Sequence, residues 1–188
     1  RKRQVLNEKI FDDRRPEMYL NLPTNPYLWN PLDFFGLYGM DPLPKGKESV
    51  VSIVQMNTTN NINQNLKEIF KHLQIAKNNL SELVVFPELA LTGHLNKNKS
   101  AISKKSPEIV QLANYANKNN LYICCGFAEK EKKESYNSSI LFGPEGIIGV
   151  YRKIHLNNED KKWATEGNEW KYYDTKIGRI GLMIGYDA

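Results

Sequence analysis

Between residues 50 and 125, short apolar runs alternate with two longer segments in which apolar residues recur at helical spacing. The apolar runs are residues 50–54, 83–86 and 121–125. The residues at helical spacing are Ile62, Leu66, Ile69, Phe70, Leu73 and Ala76 in the first longer segment and Ile109, Leu112, Ala113 and Ala116 in the second. Steps of three and four residues place side chains on one face of a helix, whereas short β-branched runs are typical of buried strands. The order strand, helix, strand, helix, strand predicts an α/β fold, a sheet with helices packed on it.

After residue 126 the pattern changes to strands joined by tight turns. Residues 138–142 and 147–151 are rich in β-forming side chains, and Gly143-Pro144-Glu145-Gly146 between them is typical of a hairpin turn. A further apolar run, residues 180–184, predicts the last strand.

Residues 1–48 differ in composition from the rest of the chain. They contain six prolines, and each proline removes a backbone donor and biases the preceding residue toward extended geometry. They are also rich in aromatic residues, which are rare in disordered segments. We therefore divide the chain into an N-terminal arm, residues 1–48, and a domain, residues 49–188. We expect the arm to lie extended on its own domain or on a partner, with a mobile leader as the alternative.

Charge and cysteine content narrow the classes of function. The formal net charge of +5 arises from 26 basic and 21 acidic residues scattered along the chain, without the basic block typical of nucleic-acid binding. Polar residues interrupt every apolar run well before the roughly 18 residues that a membrane-spanning helix needs. The adjacent cysteines Cys124 and Cys125 favour a reducing compartment. We expect no nucleic-acid binding, no membrane span and an intracellular location, with the cytoplasm and an organelle such as the mitochondrion both open.

Three polar residues follow predicted strands: Glu88, Lys153 and Asp187. Binding and catalytic groups of open α/β sheets collect at the carboxyl ends of strands, so these positions favour a site there. A single residue of this kind is more often a solvated strand end than a catalytic group. The sequence around each residue is therefore needed to decide.

The segments that contain these residues resemble the motifs of the nitrilase, or carbon-nitrogen hydrolase, superfamily. The segments are Val84-Val85-Phe86-Pro87-Glu88-Leu89-Ala90-Leu91-Thr92-Gly93, then Tyr136-Asn137-Ser138-Ser139, Gly143-Pro144-Glu145-Gly146 and Tyr151-Arg152-Lys153-Ile154-His155-Leu156, and last Gly178-Arg179-Ile180-Gly181-Leu182-Met183-Ile184-Gly185-Tyr186-Asp187. The resemblance covers residues 48–188 and implies the family's αββα sandwich. The family's domain continues beyond its nucleophile strand, so we expect this sandwich to be incomplete, with only the N-terminal portion of the domain present.

The resemblance also implies roles for individual residues. Glu88 occupies the position of the family's general base, and Lys153 that of the lysine whose ammonium holds the tetrahedral oxyanion. A second carboxylate follows the lysine in the family, and here Glu159 and Asp160 both compete for that position. The family's nucleophile is a cysteine, where this chain has Gly185. Glycine has no side chain that could attack carbon.

Two other kinds of residue have no expected role in catalysis. His155 has no role in the family's motif, and we interpret it as structural. Cys124 and Cys125 belong to a different predicted strand and are expected to be buried structural thiols rather than substitutes for the missing nucleophile.

Two functions remain open. The first, which we favour, is a catalytically inactive nitrilase-like subunit, a pseudoenzyme that serves as a scaffold in a larger assembly. The second is an amide or nitrile hydrolase with a Glu-Lys-Cys site whose cysteine has been altered at position 185. We expect protein partners, in a homo-oligomer or a hetero-complex, and a small amide or nitrile substrate only if the site is active. No cofactor or metal is expected, and the sequence does not indicate the substrate.

Overall fold

The computed structural model of the chain describes residues 48–94 and 101–188. The predicted N-terminal arm therefore lies outside the described residues, apart from Glu48. Both its extended packing and the division of the chain near residue 48 stay predictions.

The described residues form a mixed five-stranded sheet, a two-stranded sheet and two α-helices. In chain order these are β1 (Val51–Ile53), α1 (Ile62–Asn78), β2 (Leu83–Val85), α2 (Pro107–Asn119), β3 (Tyr122–Glu131), β4 (Glu134–Gly143), β5 (Gly146–Arg152), β6 (Tyr172–Thr175) and β7 (Gly178–Gly181). The large sheet has the order β1-β2-β3-β4-β5, with β1, β2 and β3 parallel and the remaining pairs antiparallel. The predicted alternation of strands and helices is confirmed, as is the hairpin between β4 and β5.

The helices begin where the local sequence satisfies their first backbone donors. Asn61 precedes α1, and its side-chain oxygen accepts a hydrogen bond from the backbone N–H of Gln64 at 3.2 Å. Pro107 occupies the first turn of α2. Backbone N–H groups in the first turn have no partner within the helix, so the N–H that proline lacks costs no hydrogen bond. Asn120 follows α2 in the left-handed conformation, with φ of 50°, and ends that helix.

The five-stranded sheet packs apolar side chains on both of its faces. The helices supply the larger cluster, in which Ile69, Leu73, Ile109 and Leu112 pack with Val84, Ile123 and Ile140 of the sheet. On the other face, Leu182 and Ile184 pack with Cys124, Leu141 and Tyr151, and the β6–β7 sheet adds Tyr173 and Ile180.

No helix within residues 48–94 and 101–188 is both long enough and apolar enough to span a membrane.

Three details of the strands differ from the sequence interpretation. The first run was predicted to be a buried strand, but β1 is the edge strand of the sheet and Ile53 is 84% exposed. The run at residues 180–184 does not form one strand, because β7 pairs only with β6 and ends at Gly181. The third strand continues past Gly126 to Glu131, since antiparallel pairing with β4 extends along its whole length.

Gly126 allows the segment after β2 to lie directly against β3. Its carbonyl accepts a hydrogen bond from Leu91 N at 3.0 Å, which fixes the segment that carries Glu88. A Cβ atom at Gly126 would lie 2.5 Å from both Leu89 N and Pro87 O. Only glycine permits this approach, and the position of Glu88 depends on it.

We therefore expect Gly126→Ala to destabilise the fold, because the added methyl group forces the backbone around Glu88 away from β3. Overpacking of this kind costs about 1–3 kcal/mol, measured as the free energy of unfolding in urea. Gly181→Ala is the matched control, since nothing lies within 4 Å of its Cβ position. An equal loss of stability in both variants would contradict this account.

Candidate active site

The ammonium group of Lys153 lies between two carboxylates. Its side chain is 1% exposed, and Nζ donates hydrogen bonds to Glu88 Oε1 at 2.7 Å and to Asp160 Oδ2 at 2.6 Å. A buried ammonium without such partners would be strongly destabilising. The three residues therefore form one charged cluster, and the structure brings together Glu88 and Lys153 as the resemblance implied.

Burial alone would lower the pKa of Lys153, because it disfavours the charged form. The hydrogen bonds and negative charges of Asp160 and Glu88 outweigh burial and raise the pKa above its usual value. Lys153 is thus a cation at neutral pH, a form that can donate an N–H to a developing oxyanion.

Of the two candidates for the second carboxylate, Asp160 is the one in the cluster. It opens a short 3-10 helix, Asp160–Lys162, and its backbone N–H donates to Asn157 Oδ1 at 2.7 Å. Glu159 points to solvent, where its side chain is 78% exposed and pairs with Lys162.

Glu88 connects the buried cluster with solvent. Its side chain is 30% exposed, although it bonds to the buried Lys153. Oε1 accepts hydrogen bonds from Lys153 Nζ and from Asn137 Nδ2, the latter at 2.6 Å. No partner for Oε2 is found in the described part of the chain, so this oxygen has lone pairs free to accept a proton.

Gly185 faces this free oxygen. It starts a 3-10 turn, Gly185–Asp187, with φ of +52°, a left-handed conformation that any other residue adopts only with strain. A Cβ atom at residue 185 would lie 3.2 Å from Lys153 Nζ and 3.3 Å from Glu88 Oε2. A side chain at this position would therefore project between the ammonium and the free carboxylate oxygen.

Asp187 ties the Gly185 turn to the chain that follows β5. Its carboxylate accepts hydrogen bonds from His155 N and Tyr151 Oη, both at 2.8 Å, and from Ile184 N at 3.2 Å. Burial would raise the pKa of Asp187, but these donors together hold it below the usual value. His155 Nδ1 lies 3.0 Å from the same carboxylate, in keeping with the structural interpretation of this histidine.

Sequence reasoning gave no role to Asn137, although its side chain contacts both carboxylates of the cluster. Nδ2 lies 2.6 Å from Glu88 Oε1 and 3.3 Å from Asp160 Oδ1. Asn137 falls within the motif of residues 136–139, and that motif was the signal that could have identified it. Asp187 was noted as a strand-end residue, but its several donors could not be foreseen.

The two cysteines have environments that disfavour the reactive thiolate. Both are buried, and burial raises the pKa of Cys124 and, still more, that of Cys125. Their surroundings agree with a structural role.

Within residues 48–94 and 101–188, no three His, Cys, Asp or Glu side chains are grouped to hold a metal ion.

Comparison with known proteins places this chain in a family. A probable nitrilase of Schizosaccharomyces pombe is 32% identical over 137 residues, which are 68% of this chain and 50% of that protein. A nitrilase of Pyrococcus abyssi is 34% identical over 145 residues, 73% of this chain and 55% of that protein. The chain spans about half the length of the curated relatives it matches.

A solved structure shows the same fold. Nit3 of Saccharomyces cerevisiae, a member of branch 10 of the nitrilase superfamily, matches with a TM-score of 0.64 and 25% identity. The match covers 76% of this chain and 59% of Nit3, and it confirms the predicted nitrilase-like fold. The model of the carbon-nitrogen hydrolase family matches residues 50–188. From its sequence and its fold, this chain belongs to the carbon-nitrogen hydrolase family of the nitrilase superfamily.

Proposed function

We propose that this chain is a carbon-nitrogen hydrolase domain whose site keeps the charged groups of the reaction and lacks the attacking atom. The observation that carries the proposal is the Cβ position of residue 185, which lies within 3.3 Å of both Lys153 Nζ and Glu88 Oε2. A thiol attached there would have a proton acceptor and an oxyanion donor beside it. Glycine supplies no such thiol, so the domain is catalytically inactive.

Each charged residue of the cluster has a role in the proposed chemistry. Glu88 Oε2 is the general base that would take the thiol proton, since this oxygen accepts no hydrogen bond from the described residues. Lys153 would donate an N–H to the oxyanion that forms when the carbonyl or nitrile carbon is attacked. Asp160 keeps Lys153 charged through the 2.6 Å hydrogen bond.

The proposal includes a structural role in a larger assembly. Large apolar side chains are exposed on the edge strand β1 and near the Gly185 turn, among them Ile53, Trp170, Met183 and Tyr186. The open edge of β1 is in addition available for pairing with another polypeptide. Both a homo-oligomer and a complex with another protein would cover it.

A second candidate function is amide or nitrile hydrolysis by a form of this protein that has cysteine at position 185. The retained geometry of Glu88, Lys153 and Asp160 favours it, because a buried ion cluster without a chemical role is seldom a gain in stability. The two candidates differ in the side chain of residue 185, and substitution at that residue therefore separates them.

We expect the protein with Gly185 to release no ammonia above background from ω-amides, carbamoyl amines or nitriles. Without a thiol, Glu88 and Lys153 can only position a water molecule, and covalent catalysis is lost. A coupled ammonia assay over such a panel measures this. Steady turnover that disappears in Lys153→Met would show that the site works without a protein nucleophile and would overturn the proposal.

We expect Gly185→Cys to introduce a thiol that iodoacetamide alkylates with the help of Glu88. General base assistance makes the reaction at least about 10-fold faster than in the Glu88→Gln, Gly185→Cys double variant. Intact-mass spectrometry follows the reaction, and the protein with Gly185 is its blank because Cys124 and Cys125 are buried.

Gly185→Ala serves as the structural control for this substitution, because it adds the strained Cβ without the sulfur. The difference in thermal stability between Gly185→Ala and the protein with Gly185 shows how much stability is lost when a residue with a side chain adopts the left-handed conformation. Equal alkylation rates with glutamate and glutamine at position 88 would contradict the assignment of Glu88 as the base.

A further inference from the structure

Asn137 is held beside the charged cluster by the main sheet itself. It lies on β4 and is 1% exposed, and its backbone carbonyl accepts a hydrogen bond from Lys153 N at 2.8 Å. The backbone bond fixes the distance between the Asn137 side chain and the end of β5. The Asn137 amide therefore has little freedom to move away from Glu88 and Asp160.

The orientation of the Asn137 amide follows from its neighbours. Nδ2 faces Glu88 Oε1 at 2.6 Å and Asp160 Oδ1 at 3.3 Å, and both of these oxygens can only accept hydrogen bonds from it. Rotation of the amide by half a turn would place its carbonyl oxygen against the two carboxylates. Repulsion excludes that arrangement, so the NH₂ group is directed at the carboxylates.

This orientation engages one oxygen of the Glu88 carboxylate and leaves the other directed at residue 185. Asn137 and Lys153 both donate to Oε1, which leaves Oε2 3.3 Å from the Cβ position of residue 185. The terminal torsion of a glutamate is broad and nearly two-fold, so a carboxylate without such donors turns easily. With the Asn137 donor removed, the carboxylate can rotate out of the plane in which its second oxygen faces residue 185.

The buried carbonyl oxygen of Asn137 supports a role for its amide beyond packing. Oδ1 has no hydrogen-bond partner in the described structure, and a buried acceptor left in this state costs free energy. An apolar side chain of similar size would avoid that cost. The hydrogen bonds that the NH₂ group donates to the two carboxylates offset this cost.

We infer that Asn137 is a positioning residue, which holds the plane of the Glu88 carboxylate so that the oxygen not bonded to Lys153 faces residue 185 as the base. The inference rests on the proposed function, in which Glu88 accepts the proton of a nucleophile at that position. Asn137 acts only through Glu88 and touches none of the reacting atoms.

The test uses alkylation of the thiol in Gly185→Cys by iodoacetamide. The sulfur forms a bond to the methylene carbon, the carbon–iodine bond breaks with loss of iodide, and the thiol proton passes to Glu88 Oε2. Adding Asn137→Ala is expected to slow this reaction by about 10-fold, because the base oxygen is no longer held in place. In the Glu88→Gln background the same substitution is expected to change nothing, since the effect passes through Glu88.

Ser139→Ala is the matched control, because Ser139 is a buried residue two positions along the same strand that bonds instead to Cys124 Sγ. It is expected to leave the alkylation rate unchanged. Asn137→Ser, which keeps a single short donor, replaces the alanine variant if thermal unfolding shows that the latter does not fold.

The outcomes separate the inference from the proposed function. If alkylation depends on Glu88 but not on Asn137, the inference is wrong and the proposed function stands. If Asn137→Ala slows the reaction equally with glutamate and with glutamine at position 88, Asn137 is merely structural and the inference is also overturned. If alkylation does not depend on Glu88, both fail together.

Discussion

Two carboxylates surround the buried ammonium of Lys153, and they lie far from each other in the sequence. Glu88 precedes Lys153 by 65 residues, whereas Asp160 follows it by only 7. A charge that is 1% exposed is tolerated only with partners at hydrogen-bonding distance. The segments after β2 and β5 and the 3-10 helix of Asp160 must therefore meet at one point in the folded chain.

Backbone contacts with the sheet, which involve no charged groups, bring these segments together. Gly126 lets the Glu88 segment lie against β3, and the bond from Lys153 N to the Asn137 carbonyl aligns the end of β5 with β4. Asp187 then holds the Gly185 turn against the residues that follow β5. These contacts hold the charged cluster against the sheet, and Glu88 is the member of the cluster that reaches solvent.

Local patterns in the sequence predicted the fold well where the interactions are local. The helical period of residues 62–76 and the Gly143–Gly146 turn depend on neighbouring residues, and both are present as expected. The exposure of Ile53 could not be predicted, because it depends on where β1 falls in the strand order. Resemblance to the family's motifs predicted Glu88 and Lys153, but their bonds to Asn137 depend on the register of β4 with β3 and β5, which no local pattern specifies.

We propose that the cluster of Glu88, Lys153 and Asp160 can support covalent attack once a nucleophile is present at residue 185. The most direct test of this proposal is intact-mass spectrometry of Gly185→Cys after a brief incubation with p-nitrophenyl acetate, followed by peptide mapping. The account predicts one acetyl group on the sulfur introduced at position 185, and no acetyl group on the peptide with residue 185 in the protein that has glycine there. A Gly185→Cys protein that folds normally and acquires no acetyl group at that position would contradict the account.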